Sequence, residues 1–213
     1  MASLTFQERG AEGPARGLLV LHHGRGTDEF DLLPVADIID PQRRLHVVTP
    51  RGPLSLPGSP GRHWYVVRSV GSPDRETFGA SLGQLGELLD ELWQRTGLGP
   101  ESTVLGGFSQ GTVMSYALGL DADRPAPAGI LAVSGFIPTV EGWEPSLDDR
   151  TATRVFIAHG RNDPVIGVAF ARRARELLEP AGLPLDYRES EAAHNIDPAD
   201  IPRAVAWLEQ TIK

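Results

Sequence analysis

Short apolar runs that each stop at a turn signal, with amphipathic segments between them, restrict this chain more than any other feature. Leu18–Leu21 ends at His22-His23-Gly24, and Leu45–Thr49 ends at Pro50. Thr103–Phe108 ends at a Gly-rich turn, Gly129–Val133 at Ser134-Gly135, and Val155–Ala158 at His159-Gly160. Leu185–Arg188 is a weaker sixth run, and Thr5-Phe6 is placed to begin an extra edge strand. Runs that are apolar throughout, rather than alternating, predict strands covered on both faces. Phe78, Leu82, Leu85, Leu89 and Leu92 recur at helical spacing and mark one apolar face. Gly79, Gly83 and Gly86 interrupt that helix, which suggests close packing against the sheet. Further helices are expected over Val165–Leu178 and Ala199–Ile212. This alternation predicts an α/β fold with a mostly parallel sheet of about seven strands and helices on both faces.

The chain has 213 residues, enough for one domain with a sizeable core, and residues 1–213 read as a single domain. With 40% hydrophobic and 23% charged residues, its composition is that of an ordinary globular protein. A net charge of −8 and the lack of a basic run argue against nucleic acid or an anionic membrane surface as partner. Arg172 and Arg173 read as the solvated face of a helix. There is no cysteine, so disulfides, thiolate nucleophiles and cysteine metal sites are excluded. Met1–Gly10 has neither a basic nor an apolar leader region, and the aliphatic runs are too short to span a bilayer. A cytoplasmic protein without stable membrane insertion is the expectation. Arg51–Pro73 carries Pro53, Pro57, Pro60 and Pro73 with several glycines, which predicts a long, functional loop.

In a parallel sheet, ligands bind beyond the carboxyl ends of the strands, so the turns after the strands are where chemistry is sought. Gly107-Phe108-Ser109-Gln110-Gly111 follows one strand directly and opens a helix over Gln110–Leu120, the setting G-x-S-x-G requires. A tight turn exposes the Ser109 hydroxyl and aims the Gln110 N–H at an incoming carbonyl oxygen. The plainer alternative is a glycine-rich turn with serine as helix cap. Serine needs a base, and the expected chain order is Ser, acid, His. Of six histidines, only His194, in Glu191-Ala192-Ala193-His194-Asn195, follows both the serine and a suitable acid. Asp163, after the Val155–Ala158 strand, is that acid; its alternative role is N-cap of a helix starting at Pro164. Asp148 and Asp149 precede that strand, while Asp186 and Asp197 are too close to His194 in sequence. His159 reads as a buried strand-end histidine. The second oxyanion donor is assigned to the N–H of Arg25 in His22-His23-Gly24-Arg25-Gly26. This loop lacks the phosphate-loop pattern, and no H-E-x-x-H ligand spacing supports a metal.

Together these stretches resemble the bacterial phospholipase/carboxylesterase family, small esterases related to acyl-protein thioesterases. The resemblance rests on His23-Gly24-Arg25-Gly26 with its acidic run and Leu32-Leu33-Pro34, on Gly106-Gly107-Phe108-Ser109-Gln110-Gly111, on Ser134-Gly135-Phe136-Ile137-Pro138, on His159-Gly160 through Asp163-Pro164-Val165, and on His194-Asn195. It implies an α/β-hydrolase fold without a large cap domain, acting on carboxylic esters or thioesters with no cofactor and no metal. Carried over by motif, Ser109, Asp163 and His194 form the triad, with Arg25 and Gln110 as oxyanion donors. The thioesterase branch often has an aliphatic residue where Arg25 stands, so its guanidinium either favours an anionic substrate or points to solvent. Trp64 resembles the family's aromatic residue in the Pro-rich loop. Trp64, Phe136, Ile137 and Ile166 are the candidates for an acyl cleft, with a core role as the alternative for each. The expected substrate is a small-molecule ester of short to medium acyl length, and the expected assembly a monomer or homodimer. A thioesterase or lysophospholipase on the same triad is the enzyme alternative, and a non-catalytic small-ligand-binding protein on the same fold is the competing class.

Overall fold

A computed structural model describes residues 4–213; residues 1–3, the start of the segment read as lacking a leader, lie outside the described residues. In chain order the elements are β1 (Phe6–Arg9), β2 (Gly17–His22), α1 (Leu33–Ile39), β3 (Leu45–Pro50), β4 (Leu54–Ser55), β5 (Arg62–His63), β6 (Val67–Ser69), β7 (Ser72–Pro73) and α2 (Arg75–Thr96). They continue with β8 (Thr103–Phe108), α3 (Gln110–Gly119), β9 (Gly129–Val133), β10 (Arg154–Gly160), α4 (Ala169–Leu178), β11 (Leu185–Ser190) and α5 (Ile201–Thr211). The main sheet has seven strands in the order β1-β3-β2-β8-β9-β10-β11. Only β1 runs antiparallel, beside β3. All six apolar runs are strands of this sheet, and the edge strand expected to begin at Thr5-Phe6 is β1, which starts at Phe6. β11 is half-buried throughout, as an edge strand would be, which is why its apolar signal is weak.

The two faces follow from the period of two along each strand. Leu18 and Val20 of β2 face Phe78, Leu85 and Leu92 of α2 and Val113 of α3. Leu19 and Leu21 face Ala36 and Ile39 of α1 and Ala204, Trp207 and Leu208 of α5. α4 covers β10 on the α2–α3 side through Ala171, Ala174 and Leu178. Burying a large apolar side chain contributes roughly 1.5–3 kcal/mol, so these two layers supply the main favourable term.

Three expectations need correction. Arg51–Pro73 is not structureless: it forms two short antiparallel ribbons, β4–β5 and β6–β7. The first is anchored to the loop after β2, where Gly26 N–H donates to Arg62 O and Arg62 N–H to Thr27 O. At Gly61 a Cβ would stand 2.0 Å from Gly26 O, so a side chain would break this contact. Next, Gly79 and Gly83 do not pack against the sheet, because a Cβ at either meets nothing within 4 Å. Only Gly86 has a neighbour, the Arg124 guanidinium at 3.2 Å. Finally, α4 starts at Ala169 rather than Val165, and Ala199 lies in a single 3-10 turn, Pro198–Asp200, ahead of α5.

Candidate active site

The turn from β8 into α3 puts Ser109 in a left-handed conformation, φ 55° and ψ −118°, which a non-glycine residue adopts only when its surroundings hold it there. Both flanking glycines are dictated by space. A Cβ on Gly107 would lie 2.4 Å from the Gly111 carbonyl carbon, and one on Gly111 would lie 1.8 Å from His22 O. Ser109 N–H donates to Val133 O at 3.0 Å, tying the turn to β9. As the first residue of α3, Gln110 has no intrahelical acceptor for its N–H.

His194 and Asp163 arrive from loops after β11 and β10, and main-chain contacts lock those loops together. Asn162 N–H donates to Ala192 O at 3.1 Å, and Arg161 N–H to Ser190 O at 2.8 Å. The His194 ring then bridges the other two groups: Nε2 lies 2.9 Å from Ser109 Oγ and Nδ1 lies 2.7 Å from Asp163 Oδ2. An ionised carboxylate only accepts, which assigns the proton to Nδ1 and leaves Nε2 to accept from the Ser109 hydroxyl. Asp163 Oδ1 accepts from the N–H groups of Val165 and Ile166, each at 2.8 Å. Burial pushes the Asp163 carboxyl up, but the hydrogen bonds from His194, Ile166 and Val165 outweigh it and hold the group below the ordinary carboxylate range. Asp163 does not cap a helix at Pro164, since α4 begins further on. Phe108, half-buried, packs its ring 5.0 Å from that of His194.

Three of the other acids are engaged elsewhere. Asp149 pairs with Arg150 and Asp186 with Arg203, while Asp197 accepts from Ala199 N–H. His159 is a buried strand-end histidine, with Nε2 2.7 Å from Ile166 O and 3.3 Å from Asp163 Oδ2. His22 is fully buried, and burial lowers its pKa to about 3, so it is neutral. Among the described residues no group of three or more His, Cys, Asp or Glu is placed to hold a metal ion. Nor is any helix among them long and apolar enough to cross a membrane.

The loop carrying Arg25 lies against the turn that carries Ser109: a Cβ on Gly24 would meet Ser109 Cβ at 3.6 Å and the Phe108 ring at 3.1 Å. The Arg25 side chain is exposed. Trp64 does not line a cleft. It is fully buried, its ring lies 5.1 Å from that of His23, and its indole N–H donates to His23 O at 2.8 Å. The Gln110 amide completes the frame, with Oε1 accepting from Trp64 N–H at 3.0 Å and Nε2 donating to Tyr65 O at 2.9 Å. His23 Nε2 accepts from Gly52 N–H at 2.9 Å, so three loops are bolted into one unit. Ile166 is likewise core, packed in the same cluster as Trp64 and Phe136. Phe136 and Ile137 do line an open cavity of about 340 Å³, bounded also by Phe170 and Arg173. The framing roles of the Trp64 indole and the Gln110 amide were not legible beforehand, because hydrogen-bond partners 45 residues or so apart leave no pattern in a sequence.

Residues 9–212 match the family model described as phospholipase/carboxylesterase. The chain is 30% identical to the esterase YpfH of Escherichia coli strain K12, over 97% of this chain and 88% of that protein. It is 23% identical to acyl-protein thioesterase 1 of Debaryomyces hansenii, over 94% and 93% of the two chains. Among solved structures, the Bacillus cereus carboxylesterase superposes with a TM-score of 0.85 at 25% identity, covering 99% of this chain and 95% of that one. Esterase PE8 gives 0.82 at 28% identity, covering 99% and 100%. The same strand–turn–helix, acid loop and base loop that the geometry brings together lie within the matched region, and the chain belongs to the phospholipase/carboxylesterase family of α/β-hydrolases.

Proposed function

We propose that this chain is a serine carboxylesterase acting on short- to medium-chain carboxylic esters through an acyl-enzyme. The observation that carries the reading is the continuous line from Asp163 Oδ2 through both nitrogens of His194 to Ser109 Oγ, with contacts of 2.7 and 2.9 Å. In this reading Ser109 Oγ attacks the ester carbonyl carbon while His194 Nε2 takes its proton. The carbonyl electron pair moves to oxygen, and the N–H groups of Arg25 and Gln110 hold that oxyanion. Collapse breaks the bond to the alcohol oxygen, which leaves with the proton from His194, and Ser109 stays acylated. Water then attacks the acyl carbon, gives a proton to His194, and releases the acid as Ser109 regains its proton. Asp163, held ionised, keeps Nδ1 protonated and stabilises the imidazolium.

The same groups serve a thioester, whose leaving thiol needs less help from the general acid; the resemblance to an acyl-protein thioesterase favours this as the second reading. Residues 1–213 are taken as one domain, working in the cytoplasm without cofactor as a monomer or homodimer. The test is hydrolysis of p-nitrophenyl esters of rising acyl length beside the matching thioesters, with Ser109→Ala as control. Turnover that peaks at short to medium length and disappears in the variant supports the proposal. A higher kcat/KM for every thioester would replace it with the second reading. A native protein inactive on both series would favour a binding protein.

A further inference from the structure

His159 lies beside the triad, and the proposed chemistry leaves it idle. It stands at the end of β10, four residues before Asp163, and both side chains are shut off from solvent. Nε2 of its ring is 2.7 Å from Ile166 O and 3.3 Å from Asp163 Oδ2. A carbonyl and a carboxylate oxygen only accept, so Nε2 carries the ring proton. The nearer carbonyl takes the hydrogen bond, and the carboxylate oxygen faces the same N–H dipole. Ile166 is also a residue whose own N–H donates to Asp163 Oδ1, at 2.8 Å. His159 therefore grips the acid twice. It fixes the residue that holds Oδ1, and its N–H faces Oδ2, the oxygen that lies 2.7 Å from His194 Nδ1. Nδ1 of the His159 ring is buried with no hydrogen-bond partner among the described residues. An orphaned buried nitrogen costs stability, which sets this ring apart from a plain packing residue. Glu189, opposite His159 on β11, is spent on Arg161, Arg172 and Tyr187.

Resting on the serine esterase reading, we propose that His159 is a positioning residue for the acid: its Nε2–H holds Asp163 in the orientation in which Oδ2 accepts from His194 Nδ1. Without that donor the Ile166 carbonyl is released and the Asp163–Ile166 turn can rotate, carrying Oδ2 away from His194. The imidazolium formed during reaction then loses support, so kcat falls. His159 does not reach the substrate, so KM stays where it is.

The test measures kcat and KM for p-nitrophenyl butyrate in the native protein, His159→Leu, His159→Asn and His159→Gln, counted per folded molecule from thermal melts. Glutamine carries an N–H at the reach of Nε2, asparagine only at the reach of Nδ1, and leucine none. In His159→Leu and His159→Asn the proposal expects kcat to fall about 10-fold to 100-fold with KM within about twofold, and His159→Gln to return to within about threefold of native. His159→Asn serves the same comparison where His159→Leu does not fold. Added to Asp163→Asn, His159→Leu should lower kcat by less than about twofold more, because its effect passes through that carboxylate. Equal losses in all three variants, an unchanged kcat in His159→Leu, or the same loss with and without Asp163→Asn would overturn the proposal. Turnover by the native protein and its absence in Ser109→Ala report separately on the esterase reading. The proton NMR signal of His194 Nδ1–H reads the positioning without turnover. It should be lost in His159→Leu and kept in His159→Gln, and a signal kept in both would overturn the proposal as well.

Discussion

The indole N–H of Trp64 donates to the main-chain carbonyl of His23 at 2.8 Å, so a residue expected to touch substrate instead holds the loop that carries Arg25. Trp64→Phe keeps most of the aromatic packing and orphans that carbonyl, which costs about 1–3 kcal/mol of stability. The His23–Gly24 peptide is then free to shift. The expected result is a kcat lowered about tenfold with KM changed less than about twofold, as for a weakened oxyanion hole. Steady-state kinetics beside a thermal melt separates this from simple instability, which lowers the active fraction and leaves kcat per active site intact.

Gln110→Ala removes the amide that accepts from Trp64 N–H and donates to Tyr65 O. Its own N–H survives in the variant, so any loss of kcat measures the positioning and not the donor itself. We expect a fall of about 10-fold to 100-fold in kcat. Titration of active sites with a fluorophosphonate gives the folded, competent fraction against which that fall is counted.

Gly79 and Gly83 are exposed on α2 and face open space. Alanine at either site lowers the entropy of the unfolded chain and meets no obstacle, so each change should stabilise by about 0.5–1 kcal/mol. The melting temperature should rise by roughly 1–4 °C per substitution. Gly111→Ala is the opposite case, since its Cβ would fall 1.8 Å from His22 O. That variant is expected to yield little folded protein by circular dichroism.

Asp163 sets a pH dependence whose sign follows from its lowered pKa. A carboxyl depressed in the folded state contributes stability that is fully present above its unfolded pKa, near 3.8, and is lost as pH falls through the lower folded value. Asp163→Asn removes that contribution, so native and variant melting temperatures should differ at neutral pH and converge as pH falls below 3.8 and through the lower folded value. At neutral pH the amide would favour the wrong His194 tautomer and lower kcat about 10³-fold to 10⁴-fold. Melts from acid to neutral pH and a kcat measurement at neutral pH check both parts.

Much of this was readable from residues alone, for a physical reason. Apolar runs such as Leu18–Leu21 and Thr103–Phe108 must be strands covered on both sides, and their turns must lie along one sheet edge. That reasoning puts Ser109, Asp163 and His194 on neighbouring loops, and the distances of 2.7 and 2.9 Å join them. Trp64 was harder, because an aromatic residue in a Pro-rich loop looks the same whether it faces solvent or core. Only the β4–β5 ribbon, pinned to Gly26 and Thr27, turns it inward. The helical glycines misled in the other direction: spacing alone does not say whether a glycine is needed or merely tolerated.

The central claim is that Ser109 is the nucleophile His194 activates. The most direct measurement is peptide mapping by mass spectrometry after reaction with a fluorophosphonate, in the native protein and in His194→Ala. The account predicts one adduct, on the peptide carrying Ser109, formed rapidly in the native protein and slowed at least about 10³-fold in the variant. An adduct on another serine, or equal labelling of Ser109 without His194, would contradict it.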